Sequence, residues 1–443
     1  MVKLEDKNKS KKESKLFYYL QFFLDILIIL LGYYLALIIR FNSPFEIEKQ
    51  FGIFFNICPY IIISSLIFIY FNRTFDVVYR KYFELIYSIF LMLILIQIST
   101  MAITFLTRDF GFARSIFFIS FIIQFIGFAI FKDISIRIYE KIYGKKNLMV
   151  VECLENSDSI VSKIKSERNF NVKYVLDTYD KKKANEVNAI AIGCNVDRET
   201  KNLIIDDFMR QGKTVFIVPD FPEISIHKSN LNNFDDLLVF EMGTYRLNFE
   251  EKLIKRISDI VISLIGLIVL SPVIILTAIS IKIYDGGSVL YKQERLTFNK
   301  KKFTLYKFRS MVEGAEEKTG PALAKDNDER ITAVGKFIRS TRIDEIPQLF
   351  NVLKGDMNLI GPRPEREFFV EVFSKNIPNY NLRFNVKAGI TGLAQVNGKY
   401  TTNPEDKLKY DLIYISEYSV LLDIEILVQT IKVMLMKVSS KGE

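Results

Sequence analysis

Two adjacent carboxylates, Asp344 and Glu345, lie in the run from Arg339 to Arg363, RSTRIDEIPQLFNVLKGDMNLIGPR, between basic residues and before a Pro362-Arg363-Pro364 turn. Such a pair can supply a nucleophile, a general acid or base, or a metal ligand. The chain has one histidine, His227, in a polar connecting stretch that reads as surface. Acid–base or nucleophilic work therefore falls to Asp, Glu, Lys or Arg. A structural role is also open, because Ile346, Leu349, Phe350 and Leu353 recur at helical spacing. On that pattern Asp344 is the N-cap of an amphipathic helix with Pro347 in its first turn. The roles are compatible, since a helix N-terminus would lower the carboxylate's pKa and offer N–H groups to a phosphate. Arg342, three residues before Glu345, reads as a local ion-pair partner.

The elements that must hold this dyad are bounded by composition. A chain of 443 residues predicts two or more domains. Apolar residues make up 49%, with 38 Phe, while charged residues remain at 25%, so membrane spans must accompany a water-facing part. The net charge of +9 fits basic residues gathered on the cytoplasmic faces of a membrane protein, and nucleic acid is not expected as a partner. Cys58, Cys153 and Cys194 form no C-x-x-C pair, so neither a disulfide framework nor a zinc site is indicated.

Four apolar runs, Leu16–Ile39, Phe51–Phe71, Leu85–Leu106 and Ser115–Phe131, predict four spans within a transmembrane domain at 1–140. The polar first fifteen residues hold six lysines, and no cleavable signal is expected there. Lysine and arginine concentrate before span one, between spans two and three, and after span four, the last group including Lys132. Both ends of the bundle are therefore expected in the cytoplasm. Asp25 and Glu84 fall in or near spans. With no second charge evident at matching depth, each reads as a helix–helix hydrogen bond or an interfacial group.

From Asn147 short β-branched runs (Leu148–Val151, Val172–Leu176, Ala189–Ile192, Val215–Val218) alternate with helix-like stretches near Ser157–Ser166 and Glu199–Gln211. That rhythm predicts a Rossmann-like cytoplasmic domain over 145–245. Its first turn, Glu152-Cys153-Leu154-Glu155-Asn156, has no glycine and two acids, so no bound nucleotide is expected, and Asp177 alone is a weak ribose signal. The role expected is structural or regulatory, and the domain offers a dimerisation surface for a homodimer.

A further apolar run, Ile257–Ile283, has Ser271-Pro272 near its middle and basic residues on both flanks, Lys252, Lys255 and Arg256 before, Lys282, Lys292 and Arg295 after. Proline breaks or kinks a helix, and a full crossing would separate the two basic clusters. The expectation is a re-entrant helix–break–helix hairpin, with the Ser271 hydroxyl as partner for an orphaned backbone group; an ordinary kinked span is the alternative. Beyond it Lys307 ends an alternating segment, and Glu313–Arg330, with Asp326 and Asp328, reads as a mobile polar loop.

Lys255-Arg256, Ser271-Pro272, YKFRSM, the run through the dyad to Glu365, and AGITGLAQVNGK follow in an order that resembles the bacterial polyprenyl-phosphate sugar-1-phosphate transferases. The match covers roughly Glu250–Lys437, and the four spans plus a glycine-poor α/β domain look like the family's larger members. The resemblance implies a fold of transmembrane four-helix bundle, Rossmann-like domain, re-entrant hairpin and mostly helical monotopic catalytic domain at 250–443. It implies transfer of sugar-1-phosphate from a nucleotide sugar, usually a UDP-sugar, to undecaprenyl phosphate, releasing UMP, at the cytoplasmic face of the bacterial inner membrane. Asp344 corresponds to the family's nucleophile, and Glu345 to the residue associated with Mg²⁺. On the same grounds Lys307, Arg339 and Arg363 are expected phosphate ligands.

The chain departs from the family where Ala388 replaces a frequent proline and Leu393 a tryptophan; it contains no tryptophan. Asp356 and Asp411 receive no role. The stretch Ile413–Lys437 reads as an interfacial helix or as domain core. Two other classes compete: a membrane assembly or regulatory protein with an inactive transferase domain, and a nucleotide-sugar dehydratase or epimerase, which would need the missing glycine-rich turn. The sequence identifies neither the sugar nor whether the product feeds capsule, O-antigen or exopolysaccharide.

Overall fold

The computed structural model describes residues 2–77, 82–109, 112–152, 154–165, 167, 169–227, 229–312, 330–398 and 402–435. They form two compact units, Met1–Pro219 and Asp220–Glu443. Of the expected loop Glu313–Arg330, residues 313–329, with Asp326 and Asp328, lie outside the described residues.

In the first unit α1 (Val2–Arg40), α2 (Pro44–Asn72), α3 (Tyr82–Leu106) and α4 (Arg114–Tyr143) are each long and apolar enough to cross a bilayer. Their shared interior is Ile29, Tyr33, Ile57, Ile61, Ile89, Ile96 and Phe128, all fully buried. Hydrogen bonds thread this apolar core. Tyr33 Oη donates to Gln97 (2.9 Å) or Thr100 (3.0 Å), and Gln97 reaches Ser120 and Gln124. Gln124 in turn donates to the Ile29 carbonyl, passing so close to Gly32 that a Cβ there would stand 2.3 Å from its chain. Asp25 corrects its expectation. Lys132 Nζ lies 2.5 Å from its Oδ1, both side chains fully buried, with Thr74 on Oδ2 and Gln21 on the ammonium. The sequence reading counts Lys132 among loop residues after Phe131; α4 continues to Tyr143 and carries it inside.

The same unit holds four parallel strands, β1 (Lys146–Val151), β2 (Phe170–Leu176), β3 (Ala189–Ile192) and β4 (Thr214–Ile217), in the order β2-β1-β3-β4. Helices α5 (Leu154–Lys165), α6 (Lys181–Ala184) and α7 (Arg198–Arg210) connect them. The central strands β1 and β3 are buried on both faces: Met149, Val151, Ile190 and Ile192 meet Ile204 and Phe208, while Leu148, Val150, Ala189 and Ala191 meet Val161. Two-sided burial explains their continuous apolar runs. At the strand-order reversal the buried Glu152 side chain lies against Gly193, where a Cβ would stand 1.5 Å from its Oε2.

The second unit begins earlier than the expected boundary near 245. Helix α8 (Phe221–Ile226) buries Ile224 with Phe384, Leu408 and Leu412, so it packs with the later residues. An antiparallel hairpin, β5 (Asn230–Phe234) and β6 (Leu237–Glu241), follows. Then α9 (Phe249–Asp285) is one continuous helix with Pro272 inside, where a break is expected from the sequence. Proline removes the donor that would serve the Ile268 carbonyl four residues back. The Ser271 hydroxyl donates to that oxygen instead, at 2.8 Å. This replacement is the one anticipated for Ser271, achieved without ending the helix. Its apolar residues Leu264, Ile268 and Val269 are exposed, and among the described residues it is the fifth helix long and apolar enough to span.

The remaining elements are β7 (Leu290–Leu296) and β8 (Lys302–Phe308), an antiparallel pair, then α10 (Ala333–Ser340), α11 (Gln348–Lys354), β9 (Asn358–Ile360), α12 (Glu367–Asn376), β10 (Gly389–Thr391), α13 (Leu393–Asn397), α14 (Pro404–Ser416) and α15 (Val420–Leu435). Their core joins Leu305, Val352, Met357, Ile360, Tyr414 and Ile426. The run Ile413–Lys437 thus divides at Glu417–Ser419: Ile426 of α15 is buried in this core, whereas Leu421, Ile424 and Ile431 are exposed.

Candidate active site: a carboxylate dyad in a cluster of cations

Between α10 and α11 the chain turns sharply. Arg342 takes the left-handed conformation (φ 59°), and Ile343–Glu345 forms a single 3-10 turn. Helix α11 starts only at Gln348, after Pro347, with no side-chain cap. Asp344 is therefore not the N-cap expected from the sequence. The helix also buries Gln348, Asn351 and Val352, while Phe350 is exposed and Leu349 meets α9 beside Gly266.

The buried Asn351 was invisible to the apolar pattern, yet it fixes the site. Its amide nitrogen donates to the Thr304 carbonyl (2.7 Å), and its oxygen accepts from Tyr306 N–H (3.0 Å). The carboxamide thus satisfies the outer edge of β8 as a neighbouring strand would. It holds Tyr306 in place, and the next residue, Lys307, is delivered to the dyad. Lys307 Nζ lies 2.9 Å from Glu345 Oε1 and 3.9 Å from Asp344 Oδ2.

Arg363 reaches the dyad from the other side, with Nη2 3.2 Å from the same Glu345 Oε1. Its turn is set by a close crossing of β9 and β10. Gly361 N–H donates to the Thr391 carbonyl and Gly389 N–H to the Pro362 carbonyl, and Cβ atoms at Gly361 or Gly389 would collide with facing backbone. Arg383 Nη2 then donates to the Arg363 carbonyl (3.0 Å) and pairs with buried Asp411 (2.9 Å). Asp411, given no role by the sequence, anchors the residue that anchors the turn. Arg295 supports the next residue, donating to the Pro364 carbonyl, and burial pushes its guanidinium down to about 10.

The two carboxylates differ sharply. Burial would raise Glu345, but Lys307, Arg363 and Arg342 outweigh it and hold the carboxyl well below its usual range. Asp344 is 9% exposed and accepts no hydrogen bond among the described residues. Burial first, then the neighbouring Glu345 charge, pushes it up to about 6 against the pull of Lys307, Arg339 and Arg342. This is opposite to the depression expected of a helix N-terminus, because the turn's N–H groups of Glu345 and Ile346 serve Arg342 and Ile343 carbonyls. Arg339 adds positive potential from α10, with no direct ion pair to the dyad among the described residues. Two carboxylates thus face Lys307, Arg339, Arg342 and Arg363, an excess of positive charge suited to a phosphate-bearing ligand.

The residues expected at the membrane hairpin have structural partners. Lys255 is buried against Asp423 of α15 (2.8 Å), whose other oxygen accepts from Tyr414 Oη. Arg256 donates to the Val352 and Leu353 carbonyls (2.6 and 2.8 Å) at the end of α11. Ala388, where the resemblance implies a frequent proline, donates its N–H to Thr297 Oγ1 at 3.1 Å, and a proline has no such donor.

The architecture and the dyad define a class. The model of the bacterial sugar transferase family matches residues 250–437, and the chain belongs to that family. It is 45% identical over 185 residues to a UDP-N-acetylgalactosamine-undecaprenyl-phosphate N-acetylgalactosaminephosphotransferase of Aeromonas hydrophila, covering 41% of this chain and 44% of that protein. It is 37% identical over 223 residues to a UDP-glucose:undecaprenyl-phosphate glucose-1-phosphate transferase of Klebsiella pneumoniae, covering 49% and 48%. A Bacillus subtilis (strain 168) protein, provisionally named an undecaprenyl-phosphate N-acetylgalactosaminyl 1-phosphate transferase, is 52% identical over 130 residues, which are 29% of this chain and 72% of the relative. The chain spans about half the length of the first two.

Proposed function

We propose that this protein transfers a sugar-1-phosphate from a UDP-sugar to undecaprenyl phosphate, releasing UMP, as a first membrane step of capsule, O-antigen or exopolysaccharide synthesis. One observation carries the mechanism: Glu345 is tied down by cations while Asp344 beside it is desolvated and accepts no hydrogen bond among the described residues. In the first step an Asp344 carboxylate oxygen attacks the sugar-bearing phosphorus of the nucleotide sugar, and the bond to the UMP oxygen breaks. In the second a phosphate oxygen of undecaprenyl phosphate attacks the same phosphorus, and the Asp344 acyl-phosphate bond breaks. Lys307, Arg339, Arg342 and Arg363 neutralise the transferring phosphoryl group, which otherwise repels both anionic nucleophiles. Burial leaves Asp344 short of solvation, so it gains by bonding to phosphorus.

A magnesium ion fits this site as one completed by substrate. The described residues hold no cluster of three acidic, histidine or cysteine ligands, and Mg²⁺ commonly takes one or two carboxylates plus phosphate oxygens. Glu345 Oε2 is the available donor, since its nearest cation, Arg342, is 3.9 Å away. When bound, the ion would add charge neutralisation at the diphosphate.

The setting we propose is the cytoplasmic face of the inner membrane, with α9 re-entrant. Both its arms support this: Arg256 engages α11, while Ile274, Ala278 and Ile281 pack with Phe308 and Ile338 of the same unit. A helix crossing the bilayer would carry one arm to the far side. The parallel sheet we read as a Rossmann-like domain without nucleotide, because acidic Glu152 fills its crevice; it remains a candidate dimerisation surface. Incubating the purified full chain with UDP-glucose, UDP-galactose and their N-acetylated forms, undecaprenyl phosphate and Mg²⁺ should release UMP from at least one donor. No release from any of them, or full activity in Asp344→Asn, refutes the reading.

A further inference from the structure

A second basic recess lies at the far end of α11 from the dyad. It is a cavity of about 280 Å³ whose walls set Lys252, Lys255, Arg256 and Lys387 among the apolar side chains of Leu247, Phe298 and Val386. None of the dyad's cations lines it, and α11 itself, about 10 Å long at 1.5 Å per residue, separates the two. No carboxylate lines it either. Lys255 is neutralised by Asp423. Arg256 and Lys387 direct their hydrogen bonds to the uncharged carbonyls of Val352, Leu353 and Gly355, while the carboxylates that act on them, Asp259 and Asp356, stand outside the cavity wall. They converge on Gly355, where a Cβ would stand 3.5 Å from Arg256 Nη2 and 3.8 Å from Lys387 Nζ. Burial, then the Arg256 charge, pulls the Lys387 ammonium below its usual value, against the opposite pull of Asp259 and Asp356. Exposed Lys252 adds a cation at the mouth, and the Asn358 and Asn385 carboxamides make no hydrogen bond among the described residues.

We propose that this cavity binds a phosphate group, at a site distinct from the dyad. Cations whose hydrogen bonds go to carbonyls, amide donors left over, and walls without a carboxylate are features that recognise phosphate. The volume lies near the lower end of small-ligand pockets, about 300 Å³. The apolar surface of α9 begins one residue beyond Arg256, with Ile257, Val261 and Leu264 exposed. A phosphate presented by an anionic phospholipid would therefore have acyl chains running along the helix, whereas a free phosphate would use the cavity alone.

The test measures binding of phosphatidylglycerol, diacylglycerol (the same acyl chains without phosphate) and inorganic phosphate to the purified full chain in neutral detergent. Wild type is compared with Lys252→Gln, Lys387→Gln and the double variant. Each substitution should weaken binding of the phosphate-bearing ligand about fivefold, the worth of one cation near an anionic headgroup. Phosphatidylglycerol bound without displacement by inorganic phosphate assigns a lipid headgroup; displacement assigns a free phosphate. Wild-type binding in the double variant overturns the site, as does equal binding of both lipids with none of inorganic phosphate. Lys252 is exposed and makes no ion pair among the described residues, so its variant tests the site even where Lys387→Gln fails to fold.

Discussion

Two buried groupings of acid and base in this chain behave in opposite ways. In the helical bundle one carboxylate meets one ammonium: Asp25 and Lys132 touch at 2.5 Å, and Thr74 and Gln21 occupy remaining positions. At the dyad two carboxylates meet four cations, and the nearest contact of Asp344 to any of them is 3.9 Å. The first arrangement is closed and the second open. A closed pair cancels charge where no solvent can, which suits a helix interface. An open cluster leaves positive charge and, among the described residues, one carboxylate without a hydrogen bond, which suits chemistry.

The sharpest way to break this contrast is at the open acid. Asp344→Asn should lower UMP release by on the order of a thousandfold or more, as loss of a covalent nucleophile does. Thermal stability should hold or rise, because a desolvated charge with no hydrogen bond is removed. A parallel loss of stability and activity would place Asp344 with Asp25 as a structural acid. In the bundle the prediction reverses: Lys132→Met should destabilise by about 3–5 kcal/mol in thermal unfolding, since it leaves Asp25 buried and unpaired. Adding Asp25→Asn should recover much of that loss, and neither change should alter the rate constant of the folded enzyme.

Smaller effects sharpen the comparison. Asn351→Ala should cost about 1–3 kcal/mol by orphaning the β8 edge, and should also lower kcat by releasing Lys307. A fall in stability alone would show that Lys307 is positioned by other means. The pH profile tests the open acid directly. A nucleophilic Asp344 must be deprotonated, and its carboxyl is raised to about 6, so activity should fall about tenfold per pH unit below that value. The linkage sign agrees with the Asn prediction: a carboxyl raised in the folded state favours folding below its unfolded pKa and loses that contribution as pH rises through 6. A profile flat down to pH 5 would mean another group limits the rate.

The bundle and the parallel strands were legible because they depend on local composition, apolar runs for the spans and short β-branched runs for the sheet. The structure brings Lys307 and Arg363, both named from the sequence, to the dyad, whereas Arg339 makes no ion pair with it among the described residues. Asn351 was missed because a polar residue on the less apolar side of a short helix reads as solvent-exposed. Its burial depends on β8, contributed by a segment more than forty residues earlier. Lys132 was misplaced by helix length, and the break at Pro272 by neglect of how well the Ser271 hydroxyl serves the Ile268 carbonyl.

By itself the sequence determined which residues could do chemistry: one histidine, an adjacent Asp-Glu pair and basic residues on either side, with apolar segments long enough for a bilayer. Tertiary structure decided which of those acids is satisfied. Lys307 and Arg363 stand 38 and 18 residues from Glu345, and both choose its Oε1 over Asp344. Charge pairing depends on distance in space and on water excluded by the whole fold, and neither is written in the spacing of the chain.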